Sequence, residues 1–91
     1  MLYRTATSDD WLRTKGGVAF LVFGLNNKMT KIEQVHRVFV SEEFLEDTYT
    51  VPEEPDPLIL ARQHRKELED IAVIRAATGE HDADGVIRIT A

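Results

Sequence analysis

Three histidines, His36, His64 and His81, stand in a 91-residue chain that contains no cysteine. Disulfides, thiolate catalysis and cysteine-ligated zinc are therefore excluded by composition. No two histidines have the His-x3-His spacing that would set both on one helix face to grip a metal. The segment His81-Asp82-Ala83-Asp84-Gly85 carries the oxygen donors of a cation loop, but it lacks the further ligands and the terminal glutamate of an EF-hand. It reads as a polar turn before a strand, where Asp and Gly serve the backbone. Ser8 and Ser41 lie in no nucleophile elbow, and the chain has neither a P-loop nor a dinucleotide fingerprint. The sequence thus leads us to expect no catalytic residue, no metal and no cofactor, and the chain reads as a non-enzyme.

The residues that stand out chemically are two that break a pattern. At 100° per residue along positions 57–78, Leu60, Ala61, Leu68, Ile71 and Ala72 fall in one arc of about 120°. His64 and Arg75 sit inside that arc. Buried polar groups need partners. The plainer reading is that His64 bonds a carbonyl while Arg75 reaches out from the last turn, near the negative end of the helix dipole. The functional reading makes His64 and Arg75 the polar ends of a pocket or partner groove. Val73, Ile74 and Ala77 leave the arc and widen the apolar surface late in the helix, which marks them as a candidate interface for a closing strand or a second subunit.

The elements that must hold these residues follow from turn and cap signals. Asp56-Pro57 opens the long helix, and Gly79 stops it. Val18 to Phe23 is a β-branched and aromatic run bounded by glycines, and Val35 to Val40 is a second such run. They predict a hairpin with a long connection near 26–32. The alternation of the second strand is imperfect, because Val38-Phe39-Val40 is continuous. Ser41 caps a short helix near 41–48, and Val51 to Pro55 is a proline-bracketed loop. Residues 3–5 form a short edge strand, and Ser8-Asp9-Asp10 reads as a helix start that Gly16-Gly17 ends. The fold class is α+β in one domain, 1–91: a small antiparallel sheet, made of the hairpin near 17–40 plus a terminal strand 85–90, packed on one long C-terminal helix.

The net charge of −5 is unevenly spread. Residues 1–40 hold six Lys or Arg against three acids, or +3, and the remainder holds five against thirteen, or −8. An acidic chain has little overall attraction for phosphate backbones, so nucleic acid is demoted. A basic strip from Arg4, Arg13, Lys15, Lys28, Lys31 and Arg37 keeps it as an alternative, with Trp11, Phe20 and Phe23 as stacking candidates unless they form the core. Glu42 to Asp56 carries seven carboxylates and no base, an acidic rim that reads first as solvation. No apolar run approaches membrane-span or signal-peptide length, which leads us to expect a cytoplasmic protein.

Several pieces in order resemble the bacterial domain-of-unknown-function family 1488. They are Val18-Ala19-Phe20, Val40-Ser41-Glu42-Glu43-Phe44-Leu45-Glu46-Asp47, His64-Arg65 followed by Leu68, Ile71 and Ala72, then Gly79, and Asp84-Gly85-Val86-Ile87-Arg88-Ile89-Thr90. The resemblance covers roughly residues 17–91. Departures are the longer stretch from 25 to 33, Ala61 in place of an aromatic, and relatives that continue past the position of Ala91. The resemblance implies a small α+β fold with an antiparallel sheet against a helix, and it brings no activity and no site residues. The expected function is a non-enzymatic interaction or accessory domain of the bacterial cytoplasm, acting as a homodimer or on a protein partner. The alternative is a nucleic-acid-associated transcriptional regulator using the basic N-terminal half.

Overall fold

The computed structural model describes residues 1–5, 10–49 and 56–90. Its centre is the expected hairpin. Strand β3 (Gly17–Leu25) pairs antiparallel with β4 (Ile32–Ser41) along its whole length. The connection is ordered by Asn26, whose Oδ1 accepts the N–H groups of Lys28 and Thr30 at 3.2 and 3.1 Å.

The edge beside β3 is built from two short strands. β1 (Leu2–Thr5) pairs with residues 22–25, and β2 (Leu12–Thr14) pairs with residues 17–19. The second replaces the helix expected after Ser8. Ser8 itself lies outside the described residues. Lys15 and Gly16 make a two-residue turn, with Gly16 at φ 82°, so the glycine closes a hairpin instead of ending a helix.

The α+β class stands, with two differences in detail. The last strand, β5 (Ile87–Ile89), pairs with β4 in parallel, so the sheet is mixed, in the order β1-β3-β4-β5 with β2 also on β3. Parallel neighbours need a crossover, and the helices supply it. α1 (Glu42–Thr48) starts where Ser41 Oγ accepts the Phe44 N–H at 3.0 Å. The expected long helix is broken at His64 into α2 (Pro57–Gln63) and α3 (Arg65–Thr78). His64 leaves helical geometry, at φ −110° and ψ 26°, while its N–H still reaches the carbonyls of Leu60 and Ala61. Gly79 ends α3 as expected, in the left-handed conformation. The proline-bracketed loop falls outside the described residues.

All three helices lie on one side of the sheet. The predicted arc is the buried one: Leu60, Ala61, Leu68 and Ala72 join the core, and Ile71 packs against it. The sheet contributes Val18, Phe20, Val22, Val38, Val40, Ile87 and Ile89. Trp11 completes this core, its indole stacked on Phe20 with ring centroids 4.0 Å apart.

Asp56 links the layers. Its carboxylate accepts the Leu58 N–H at 2.9 Å, capping α2, and also pairs with the guanidinium of Arg13 on β2. Asp56→Ala is expected to cost about 1–2 kcal/mol, mostly from the cap. Asp56→Asn keeps an acceptor and loses only an exposed ion pair, at about 0.5 kcal/mol. Urea unfolding of the two variants measures the split.

Candidate functional site

The structure separates the two residues that broke the helical pattern. Eleven positions along the helix place them about 16 Å apart. Arg75 donates from Nη1 to the carbonyl of Arg88 on β5 at 2.5 Å, fastening helix to sheet. His64 lies flat against Tyr49, with ring centroids 3.6 Å apart and planes 5° from parallel. An open depression beside it is lined by Gln63, His64, Lys66, Glu67 and Asp70, without Arg75. His64 and Arg75 therefore do not share a pocket. Of the candidate interface, Val73 is half-buried while Ile74 and Ala77 are exposed on α3.

Tyr49 donates its hydroxyl to Glu67 at 2.8 Å. Burial, then the bond to Glu67 and its charge, push the phenol up from 10.0 to about 12. The folded state holds this proton more tightly than the unfolded one. The associated stability is full below pH 10 and is lost as pH rises towards 12. Glu67→Gln is expected to move the Tyr49 midpoint down while leaving it above 10, because burial remains. Ultraviolet titration of phenolate formation reads the shift.

The His81 to Gly85 segment is a turn organised by Asp82. Its Oδ1 accepts the N–H groups of Val86 and Asp84 at 3.0 and 3.1 Å, and its Oδ2 accepts from Arg88 Nε at 3.0 Å. The Val86 N–H, with Arg88 and the Asp84 N–H, holds this carboxyl below its ordinary range. His36 is buried beneath the turn, with Nδ1 2.8 Å from the Gly85 carbonyl and its ring 4.9 Å from that of His81.

The largest feature without an intramolecular explanation is the outer face of the sheet. Along β3, Val18, Phe20 and Val22 point inward to the helices. Their neighbours Ala19, Leu21 and Phe23 point outward and stay half-buried. On β4, Val35, Arg37 and Phe39 share that outer face, followed by Arg88 on β5. β1 and β2 add Leu2, Arg4, Leu12 and Thr14, with Leu12 64% exposed and Val35 55% exposed. Leu21 is directly opposite Arg37, and Ala19 is opposite Phe39. Shallow depressions of about 220 and 360 Å³ flank Arg37. Arg88 is paired with Asp82 at 3.0 Å, whereas Arg37 makes no ion pair among the described residues.

Sequence reasoning missed this face. The usable signal was the continuous Val38-Phe39-Val40, noted as imperfect alternation, together with the unbroken run of β3. Of the proposed stacking aromatics, Trp11 and Phe20 are core, and only Phe23 faces outward. Of the proposed basic strip, Arg4 and Arg37 reach the outer face, while Arg13 is tied to Asp56. No helix among the described residues is long and apolar enough to cross a membrane. Compared with known proteins, the chain matches no family model, no curated sequence and no solved structure.

Proposed function

We propose that this chain is a non-enzymatic interaction domain of the bacterial cytoplasm, and that its working surface is the outer face of the sheet. One observation carries the reading. β3 is apolar on both sides, the pattern of a strand covered on both faces, and β4 adds Val35 and Phe39 on either side of Arg37 to the outer row, yet the helices cover only one face. A contiguous uncovered apolar patch on a small domain marks an interaction surface. The cytoplasmic setting rests on the cysteine-free composition, and the bacterial one on the family resemblance.

A photo-crosslinking phenylalanine analogue at position 21 or 39, activated in producing cells, tests this. Discrete adducts from both positions are expected. Their absence from both sides of Arg37 would end the reading.

The nucleic-acid alternative is favoured by Phe39 and Arg37 lying next to each other in outward register, an aromatic and a cation that suit a single strand. Fluorescence anisotropy with a labelled oligonucleotide decides it. Affinity that weakens steeply with salt supports the alternative, and no binding at low salt removes it.

A further inference from the structure

The geometry points to a binding site for a divalent late transition-metal ion of the zinc class, held by His36 and His81 with Gln34 as a third donor. The site lies on the helix side of β4, in the inward row that continues through Val38 and Val40, so it is independent of whatever the outer face binds.

The first argument is the state of the two rings. His36 and His81 are far apart in sequence, and the fold brings their ring centres to 4.9 Å. Each ring uses its Nδ1 on a main-chain carbonyl of the same turn: His36 on Gly85 at 2.8 Å, and His81 on Asp82 at 3.0 Å. A carbonyl oxygen can only accept. In each neutral ring the proton therefore sits on Nδ1 and the lone pair on Nε2. Metal-ligating histidines are prepared in this way: one nitrogen donates to a carbonyl, which fixes the ring and its tautomer, and the other is left for the ion.

The second argument is what His36 Nε2 meets. It faces Gln34 Oε1 at 3.3 Å, and that oxygen already accepts the Tyr3 hydroxyl at 3.1 Å. With the amide turned this way, a nitrogen lone pair looks at an oxygen lone pair, and a cation between them replaces repulsion by two bonds. The distances suit one ion. With bonds of about 2.0–2.1 Å, an ion stands about 3.2 Å from each ring centre, so centres 4.9 Å apart subtend about 100° at it. A separation of 3.3 Å between Nε2 and Oε1 is about the edge of a tetrahedron with bonds of that length.

No group of three or more His, Asp or Glu residues gathers here among the described residues, and Asp82 is engaged by the Val86 and Asp84 N–H groups and by Arg88. The site is therefore an open one, with two nitrogens, one amide oxygen and water, and it binds less tightly than a closed four-ligand zinc site. Imidazole nitrogens favour late first-row ions, whereas Mg²⁺ and Ca²⁺ need hard oxygens that are not assembled here. Bound between β4 and the turn that leads from α3 into β5, the ion fastens the return of the crossover, so its binding adds to folding stability.

Calorimetric titration of the untagged chain with ZnCl₂, and with MgCl₂ for comparison, tests the proposal. One Zn²⁺ per chain is expected, and no Mg²⁺. Zn²⁺ at about twenty times its dissociation constant is expected to raise Tm by about 7–14 °C. His81 is exposed, so His81→Ala folds, and it is expected to weaken Zn²⁺ binding about a hundredfold. Gln34→Ala is expected to weaken it about tenfold, and His64→Ala to leave it unchanged. His36 is buried, so its part is read in the unmutated chain. Nitrogen-15 NMR of the imidazoles is expected to show the Nε2 signals of His36 and His81 moving together with Zn²⁺ while that of His64 stays. No Zn²⁺ binding up to about 1 mM overturns the proposal. So does binding that survives His81→Ala, binding of Mg²⁺ as tight as that of Zn²⁺, or movement of His81 without His36, which would be a lone surface histidine. An unchanged affinity in Gln34→Ala overturns the third donor and leaves the pair.

Discussion

Phe20→Ala is expected to lower the unfolding free energy by about 3–5 kcal/mol, the range for removing a buried aromatic ring. Phe20 is 2% exposed and lies in the inward row of β3 between Val18 and Val22. Its ring stacks on Trp11 at 4.0 Å, with planes 5° from parallel. Trp11 sits just ahead of β2, so this stack anchors the second half of the split edge to the core. Removing the ring leaves a cavity that a β-strand backbone cannot collapse to fill. A chain of 91 residues has a total stability of about 5–14 kcal/mol, so the loss is at least a fifth of the whole and can be most of it. At about 4–8 °C per kcal/mol, the melting temperature falls by roughly 12–40 °C. Trp11 is the single tryptophan, so its fluorescence in a urea titration reports on the site directly. Phe20→Leu keeps most of the volume and is expected to cost about 1–1.5 kcal/mol. A Phe20→Ala loss below 1 kcal/mol would mean that the Trp11–Phe20 stack is not part of the cooperative core.

The parity that makes Phe20 decisive also explains what could be read without coordinates. β3 and β4 are legible because β-branched and aromatic residues cluster between turn residues. The starts of α1 and α2 are legible because Ser41 and Asp56 present acceptors to N–H groups that no helix can satisfy internally. Cap chemistry and hydrophobic periodicity are local, so they survive in a single sequence. The rest depends on distant contacts. Leu12-Arg13-Thr14 is too short to show a period, and it becomes a strand because β3 offers a free edge and Gly16 closes the turn. The direction of β5 is set by the crossover, and nothing within Ile87-Arg88-Ile89 encodes it. The break at His64 accompanies its stack on Tyr49, fifteen residues earlier in the chain. His64 and Arg75 drew attention because a helical wheel shows faces but not partners. The structure supplies a separate partner for each, an aromatic ring and a strand carbonyl. The outer face was hidden for the opposite reason: an apolar residue on a strand looks like core whichever side it points to.

Gly17→Ala is expected to cost about 3 kcal/mol, the upper part of the range for overpacking, although Gly17 does not need positive φ. The reason is a close approach of two backbones. An added Cβ would stand 2.0 Å from the Val40 carbonyl oxygen and 3.0 Å from the Phe39 ring. A flexible side chain could swing away, but a carbonyl in the β3–β4 ladder cannot. The strands must part at the end where Gly17 faces Ser41 and where the Gly16 carbonyl accepts the Glu42 N–H at 2.9 Å. That end also carries the Ser41 cap of α1, so the first helical turn loosens with the ladder. Gly16→Ala is the informative contrast. Its nearest neighbour is the Phe39 ring at 4.0 Å, and its cost is the left-handed φ of 82° alone, about 1 kcal/mol. Urea unfolding ranks the two variants. Amide exchange at Glu42 is expected to accelerate more in Gly17→Ala than in Gly16→Ala, because only the former forces the strands apart. Equal costs for the two would place the strain in the turn and not in the ladder.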